Sequence, residues 1–271
     1  MNPIVIYHAQ CRDGWCAAWV ASKAMPGAEL FPAMYGSCPP AVVGRDVLLV
    51  DFSYPREVLL SMASAAARIR VLDHHKTARE ALAGLPWATF DMERSGAGIA
   101  WDELVGGEYG PQRPWLVRYV EDRDLWRWAL PMSREVNAFI GSLPYGKPEH
   151  LEAWDEAERM DIGEAARGGT AILQAIKRYA ENVCDNARAR KVGAWMVPSV
   201  NAPQHDISEV LECLLDRSDG CTFVHGWWQR ADGIFSNSLR SRGEFDVSIV
   251  AREFGGGGHK NSAGFQTESI L

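Results

Sequence analysis

The sequence lacks the features that would place it in a membrane or in an oxidising compartment. No apolar run approaches the ~18 to 20 residues that span a bilayer, and Met1-Asn2-Pro3 leads directly into a β-type run, with no basic segment and apolar signal core. The six cysteines (Cys11, Cys16, Cys38, Cys184, Cys213, Cys221) are scattered without a CxxC pair, which argues against a zinc knuckle or a disulfide framework. Positive charge is not in excess either. The 28 Lys+Arg stand against 35 Asp+Glu, a formal net charge of −7, so no bulk field draws the chain onto nucleic acid or an anionic membrane. Internal repeats and low-complexity tracts are absent apart from Gly255 to Gly258. The expectation is a cytoplasmic protein without a membrane partner, whose nucleic-acid contacts are local.

What is present is a chain of 271 residues, 47% hydrophobic and 23% charged, enough for one large domain or two smaller ones with a true core. In the first half, short β-type runs alternate with helix-type stretches. Ile4-Val5-Ile6-Tyr7, Val47-Leu48-Leu49-Val50 and Ile69-Arg70-Val71-Leu72 read as strands, with helices from Gly14 to Met25 and from Tyr54 onward. Continuous apolar strands separated by helices predict an N-terminal α/β domain with a doubly wound, mainly parallel sheet and flanking helices. The Ala-rich, charged stretch from Leu151 to about Lys191 predicts a helical connector. β-type runs at Cys221-Thr222-Phe223-Val224 and Gly233-Ile234-Phe235-Ser236 predict a smaller C-terminal α/β domain. The expected boundaries are 1–148, 149–191 and 192–271.

Chemistry gathers at the strand ends, where such sheets place their sites. His8 and Asp13 follow the first strand, Asp51 follows Val50, and Asp73-His74-His75 follows Leu72. A single Asp after a strand ordinarily caps the next helix. Carboxylates and imidazoles from three strand ends instead suit a hard divalent cation of the Mn²⁺ or Mg²⁺ type.

These residues carry a resemblance. Val71-Leu72-Asp73-His74-His75-Lys76 resembles the signature of the DHH phosphoesterase superfamily, and the run Gly255-Gly256-Gly257-Gly258-His259-Lys260-Asn261-Ser262-Ala263-Gly264-Phe265 resembles the glycine-rich motif of its associated C-terminal domain. Tyr7-His8-Ala9-Gln10-Cys11-Arg12-Asp13-Gly14, Leu49-Val50-Asp51-Phe52-Ser53 and Glu121-Asp122-Arg123-Asp124-Leu125-Trp126 are similar to the first, second and fourth motifs, so the likeness covers nearly the whole chain.

The resemblance implies two Mn²⁺ or Mg²⁺ ions per site sharing a carboxylate, with a metal-bound hydroxide attacking phosphorus. It implies that His8 and Asp13 ligate one ion, Asp51 bridges or contacts both, and His74 and Asp122 complete the set. Asp124 competes for the last role, and the motif alignment favours Asp122. His75 is expected to face the scissile phosphate, and Asp73 to orient a neighbouring histidine. Many relatives have an additional Asp where this chain has Cys11 or Trp15; a buried structural thiol is the expected role of Cys11, a soft ligand its alternative.

Gly256, Gly257, Gly258 and His259 are read as a loop whose backbone N–H groups bind a phosphate. Arg240 resembles the family's substrate-phosphate arginine. Trp126, Trp128, Trp227 and Trp228 can stack bases, although filling a core is the commoner use of tryptophan. Ser95-Gly96-Ala97-Gly98-Ile99-Ala100-Trp101 resembles a stretch that packs near the active site in relatives.

The expected function is metal-dependent hydrolysis of short oligonucleotides or dinucleotides to nucleoside monophosphates, as in oligoribonuclease (nanoRNase) or exonuclease relatives. The acidic balance argues against a groove for long DNA. The alternatives are a phosphodiesterase for cyclic or linear signalling dinucleotides, a nucleotide bisphosphate phosphatase, a RecJ-like exonuclease on long single strands, and a nucleotide-binding regulator with a degraded metal site. The oligomeric state stays open, a homodimer included.

Overall fold

Alternate residues of the central strands are buried in opposite directions. In the computed structural model, which describes residues 3–9, 11–106 and 112–271, Val5 and Tyr7 of β1 (Ile4–His8) pack with Leu48, Val50 and Leu72 on one face, and Ile4 and Ile6 with Leu49 and Val71 on the other. Burial on both faces is why these strands read as near-continuous apolar runs. Met1, Asn2 and Gln10, the last a part of the first motif, lie outside the described residues.

The chain continues through α1 (Arg12–Ala24), β2 (Glu29–Ala33), β3 (Asp46–Val50), α2 (Arg56–Ala65), β4 (Arg68–Asp73), α3 (Lys76–Ala81), β5 (Ala88–Phe90) and α4 (Gly96–Trp101). A π-helical turn at Asp102–Gly106 precedes α5 (Trp115–Asp124), α6 (Ser133–Ser142), α7 (Leu151–Glu158) and the long α8 (Ile162–Cys184). The strands form a parallel sheet in the order β2-β1-β3-β4-β5. Trp15, Trp19 and Val20 of α1, Ala97 and Ile99 of α4 and Leu116 and Val120 of α5 cover one face. Leu59 and Met62 of α2, with Leu82, cover the other. In this strand order the winding reverses between β1 and β3, and a crevice at the carboxyl ends of the strands opens there. His8 ends β1 and Asp51 follows β3, so the two flank that crevice.

Two compact units divide the chain, Met1–Ile172 and Leu173–Leu271, and the chain passes from one to the other within α8. The second contains β6 (Arg188–Val192), β7 (Trp195–Asn201), α9 (Ile207–Asp216), β8 (Phe223–Gln229), β9 (Phe235–Ser241), α10 (Val247–Glu253), β10 (Gly257–His259) and β11 (Ser262–Thr267). Its sheet runs β10-β11-β9-β8-β7-β6, with β7 and β8 parallel and the remaining neighbours antiparallel. Val247, Val250 and Ala251 of α10 pack on Phe223, Leu239, Ala263 and Phe265. Val210 and Leu211 of α9 pack with Ala180 and Cys184 of α8 on Val200 and Val224.

One reading of the connector needs correction. Helix α8 stops at Cys184, and the basic run that looked like its continuation is the edge strand β6, paired with β7 from Arg188 to Val192. Charged residues belong on an edge strand, where they discourage pairing with a further strand, so composition alone misassigned it. Among the described residues no helix is long and apolar enough to cross a membrane.

Candidate metal centre

Asp51 is the hub of the strand-end cluster. It is 1% exposed and adopts a left-handed backbone (φ 53°) while its N–H donates to Leu72 O at 2.9 Å. A non-glycine residue in that region costs of order 1 kcal/mol or more and persists where surrounding contacts enforce it. His74 Nε2 lies 3.1 Å from Asp51 Oδ1, 3.7 Å from Asp13 Oδ2 and 3.5 Å from Asp124 Oδ2. On the other side, His8 Nδ1 lies 3.6 Å from Asp51 Oδ2 and His75 Nδ1 4.0 Å from Asp51 Oδ1. Asp51 enters two groups of candidate ligands, one with Asp13 and His74 and one with His8 and His75; within each, the donor atoms all lie within 4.8 Å of one another.

The electrostatics of the cluster favour positive charge among its carboxylates. Burial, followed by the charges of Asp124 and Asp51, holds the Asp13 carboxyl well above the usual carboxylate range. Burial and the Asp51 charge raise Asp124 as well. At His74 burial favours the neutral ring, but the hydrogen bond to Asp51 and the charges of Asp124, Asp51 and Asp13 outweigh it and raise the imidazole well above its ordinary value. Burial also opposes ionisation of Asp51, yet the hydrogen bond with His74, the nearby His8 and the His75 and His74 charges hold it well below the ordinary value. Asp13 and Asp124 are thus pushed towards their neutral forms and His74 towards its charged form around Asp51, and a divalent cation held there would offset the same crowding of carboxylates. His8 Nδ1 and Asp51 Oδ2 are buried without hydrogen-bond partners and face each other at 3.6 Å, a separation that suits two donors on one cation. Oxygen and imidazole donors fit Mn²⁺ or Mg²⁺.

Asp73 works one step back from the cluster. Its Oδ1 accepts from the backbone N–H of His74 at 2.7 Å and of His75 at 3.2 Å, and lies 2.7 Å from His75 Nδ1. That contact fixes the ring through Nδ1 and turns His75 Nε2 away from Asp73. Burial disfavours the charged ring, but Asp73 outweighs it and raises His75.

The glycine-rich segment after Ser95 allows the close approach. Asp13 accepts from the N–H groups of Gly96 (2.6 Å) and Ala97 (3.1 Å) at the start of α4, while Ser95 Oγ caps the helix through Gly98 N–H at 3.1 Å. A Cβ on Gly96 would stand 2.4 Å from Asp51 Cβ and 2.9 Å from Asp13 Oδ2. Behind this turn Glu121 accepts from Arg94 Nε at 2.8 Å, Ser95 N–H at 3.2 Å and Arg113 Nη1 at 3.2 Å, with Arg94 and Arg113 both also paired to Asp102.

The structure corrects the fourth-motif assignment. Asp122 accepts from Ala129 N–H (2.9 Å), Leu130 N–H (3.3 Å) and Ser133 Oγ (2.5 Å), so its carboxylate holds the turn between α5 and α6. Asp124 is the one that faces His74. Residues two apart on a helix point about 200° from each other, so one of the pair must face away. Cys11 also differs from expectation. It is only partly buried, and burial with the charges of Asp51, Asp124 and Asp13 keeps its thiol protonated. Trp15 is fully buried against Tyr7. Trp126 and Trp128 have left-handed backbones in the turn that Asp122 anchors, and Trp228 packs with the second unit's core.

The remaining candidates lie in the second unit. Gly257, Gly258 and His259 form β10, an edge strand where a loop was expected. A Cβ on Gly256 would stand 2.1 Å from Gly264 O, and one on Gly258 2.5 Å from Ser262 O, so close backbone packing by itself explains these glycines. Ser262 of β11 pairs with His259 on one side and Arg240 on the other, which brings those two residues into register across three strands. Arg240 donates to Ser238 Oγ at 2.9 Å and Ser208 Oγ at 3.0 Å.

Sequence reasoning missed Tyr35. Its ring lies 5.2 Å from that of His8, 6.3 Å from His75 and 5.1 Å from Phe52. The residue stands in a loop after β2 that no motif marks.

No family model matches the chain. An uncharacterized protein of Acanthamoeba polyphaga mimivirus is 25% identical over 303 aligned residues, covering 98% of this chain and 68% of that protein. Among solved structures, an exopolyphosphatase-related protein from Bacteroides fragilis superposes with a TM-score of 0.53 at 15% identity, over 100% of this chain and 88% of its own. The chain shares the fold of that protein. A pGpG-specific phosphodiesterase from Vibrio cholerae matches with a TM-score of 0.48 at 13% identity, over 97% of this chain and 92% of that one. In this fold the strand-end cluster occupies the switch point of the parallel sheet, between β1 and β3.

Proposed function

We propose that this protein is a divalent-cation-dependent phosphodiesterase that hydrolyses short oligonucleotides or dinucleotides to nucleoside monophosphates. The observation that carries the reading is the pair of ligand groups sharing the buried Asp51. Asp13, Asp51 and His74, with Asp124, would hold one cation, and His8 and Asp51 the other. Bound there, two Mn²⁺ or Mg²⁺ ions supply Lewis-acid activation of water and offset charge on the phosphate.

The protein's own groups do the rest. Asp73 clamps His75 through Nδ1, so a charged His75 keeps a proton on Nε2 for a phosphate oxygen. Asp13 ties the N-terminus of α4 to the cluster and keeps the carboxylates at fixed spacing. The first unit, Met1–Ile172, would be catalytic and the second, Leu173–Leu271, substrate-binding, with Arg240, His259 and the segment Gly256 to Gly258 as its phosphate-binding groups. The net charge of −7 favours a short substrate gripped at few points over a long polyanion.

Purified protein incubated with Mn²⁺ and, separately, a 5′-phosphorylated dinucleotide, a five-residue RNA, a long single-stranded DNA and a cyclic dinucleotide ranks the substrates directly. The dinucleotide and short RNA should be consumed fastest, and Asp51→Asn should abolish turnover with the fold retained. Absence of cleavage in every arm, or wild-type rates in the Asp51 variant, would refute the proposal.

A further inference from the structure

The members of the metal cluster differ in their access to solvent. Asp13, Asp51 and His74 have side chains only 1 to 2% exposed, whereas those of His8 (24%), His75 (14%) and Asp124 (24%) reach solvent. A substrate phosphate must therefore arrive over His8, His75 and Asp124. Tyr35 stands on that approach. Its ring packs edge-on against both His8 and His75 and tilts against Phe52, yet the residue remains 47% exposed. A tyrosine serving only the core would be covered, and this one keeps part of its surface open beside the two accessible histidines.

The platform is also held in place. Ala33, the last residue of β2, pairs with His8 and accepts from Ala9 N–H at 2.8 Å. The turn after it closes through Ser37, whose N–H donates to Met34 O at 3.0 Å and whose Oγ donates to the same oxygen at 2.6 Å and accepts from Met34 N–H at 3.2 Å. Gly36 supplies the left-handed residue of this turn (φ 84°). An aromatic ring fixed at the rim of a phosphate site suits stacking with a nucleobase attached to that phosphate.

We infer that Tyr35 is the stacking surface for the nucleobase next to the scissile phosphate, making it a residue that restricts the enzyme to nucleotide esters. The inference rests on the phosphodiesterase reading for its substrate class, but its binding test does not require turnover. Stacking on an aromatic residue is worth roughly 5- to 150-fold in affinity. The wild-type protein loaded with Mn²⁺ should bind adenosine monophosphate more tightly than ribose 5-phosphate by a factor in that range. Tyr35→Ala should remove the preference, Tyr35→Phe should keep it, and titration with Mn²⁺ alone should give equal affinity in all three proteins. Equal binding of the two ligands by wild type, persistence of the preference in Tyr35→Ala, loss of the preference in Tyr35→Phe or weakened Mn²⁺ binding in Tyr35→Ala would each overturn it. Should the preference hold while no phosphodiester is cleaved, the stacking role stands and the phosphodiesterase reading fails.

Discussion

Replacing Gly96 with alanine separates local helix preference from the geometry of the site. Gly96 opens α4, and in a helix alanine is favoured over glycine by up to about 1 kcal/mol, so local preference alone predicts stabilisation. The tertiary structure predicts the opposite. The added Cβ would meet Asp51 Cβ at 2.4 Å, Asp51 Cα at 2.9 Å and Asp13 Oδ2 at 2.9 Å. Ordinary contact begins near 3.4 Å, so Asp51 and α4 must separate by about 1 Å, and Asp51 is pinned by its backbone bond to Leu72 and by His74. Overpacking of this kind costs about 1 to 3 kcal/mol, which lowers the melting temperature by about 2 to 10 °C for a chain of this size. A 1 Å displacement of a shared ligand should also lower kcat about 100-fold. Thermal unfolding followed by circular dichroism, together with dinucleotide turnover, tests both. A variant as stable and as active as wild type would refute the assigned packing of α4 on Asp51.

The remaining predictions concern the fourth motif and the second unit. Asp124→Asn should weaken Mn²⁺ binding at least tenfold, measured by calorimetric titration, with little change in stability. Asp122→Asn should leave Mn²⁺ affinity near wild type and cost about 1 to 3 kcal/mol in urea unfolding, since the turn from Ala129 to Ser133 depends on its carboxylate; the reverse pattern would restore Asp122 as the ligand. His225 is fully buried, with its ring nitrogens 2.8 Å from Ser199 Oγ and 2.9 Å from Asn237 Oδ1, and burial holds its imidazole down to about 4. Between about pH 6.5 and 4 the unfolded chain therefore binds a proton that the folded chain refuses, so stability falls as pH falls, by about 3 kcal/mol over the window. Urea midpoints at pH 7 and pH 4.5 should show this loss in wild type and a smaller one in His225→Gln; an equal loss in both would reject the assignment.

Much of the strand-end cluster was legible because its residues end strands that are buried on both faces. An apolar run that stops at His8, Asp51 or Asp73 announces a carboxyl edge, and parallel sheets build sites there. The glycine run was legible as a departure from ordinary composition, but its local form was not. The approaches at Gly256 and Gly258, where an added Cβ would stand 2.1 and 2.5 Å from a backbone oxygen, arise only once the glycine run lies against β11. Strand β6 was misread because edge strands tolerate the charges that composition assigns to an exposed helix.

By itself, the sequence determined the parallel α/β character of the first unit, the chemistry of the strand-end residues and the likeness of its motifs to the DHH proteins. Tertiary structure alone decided which of two carboxylates faces the cluster, since Asp122 and Asp124 share one helix and only packing sets its rotation. It also decided that Tyr35 stands beside His8 and His75, because β2 and β1 are neighbours in the sheet and the loop after β2 returns to the carboxyl edge. Residue type and order establish which chemistry is available. The relative placement of side chains from different strands and helices depends on how the apolar faces pack, and the active arrangement exists only after that packing.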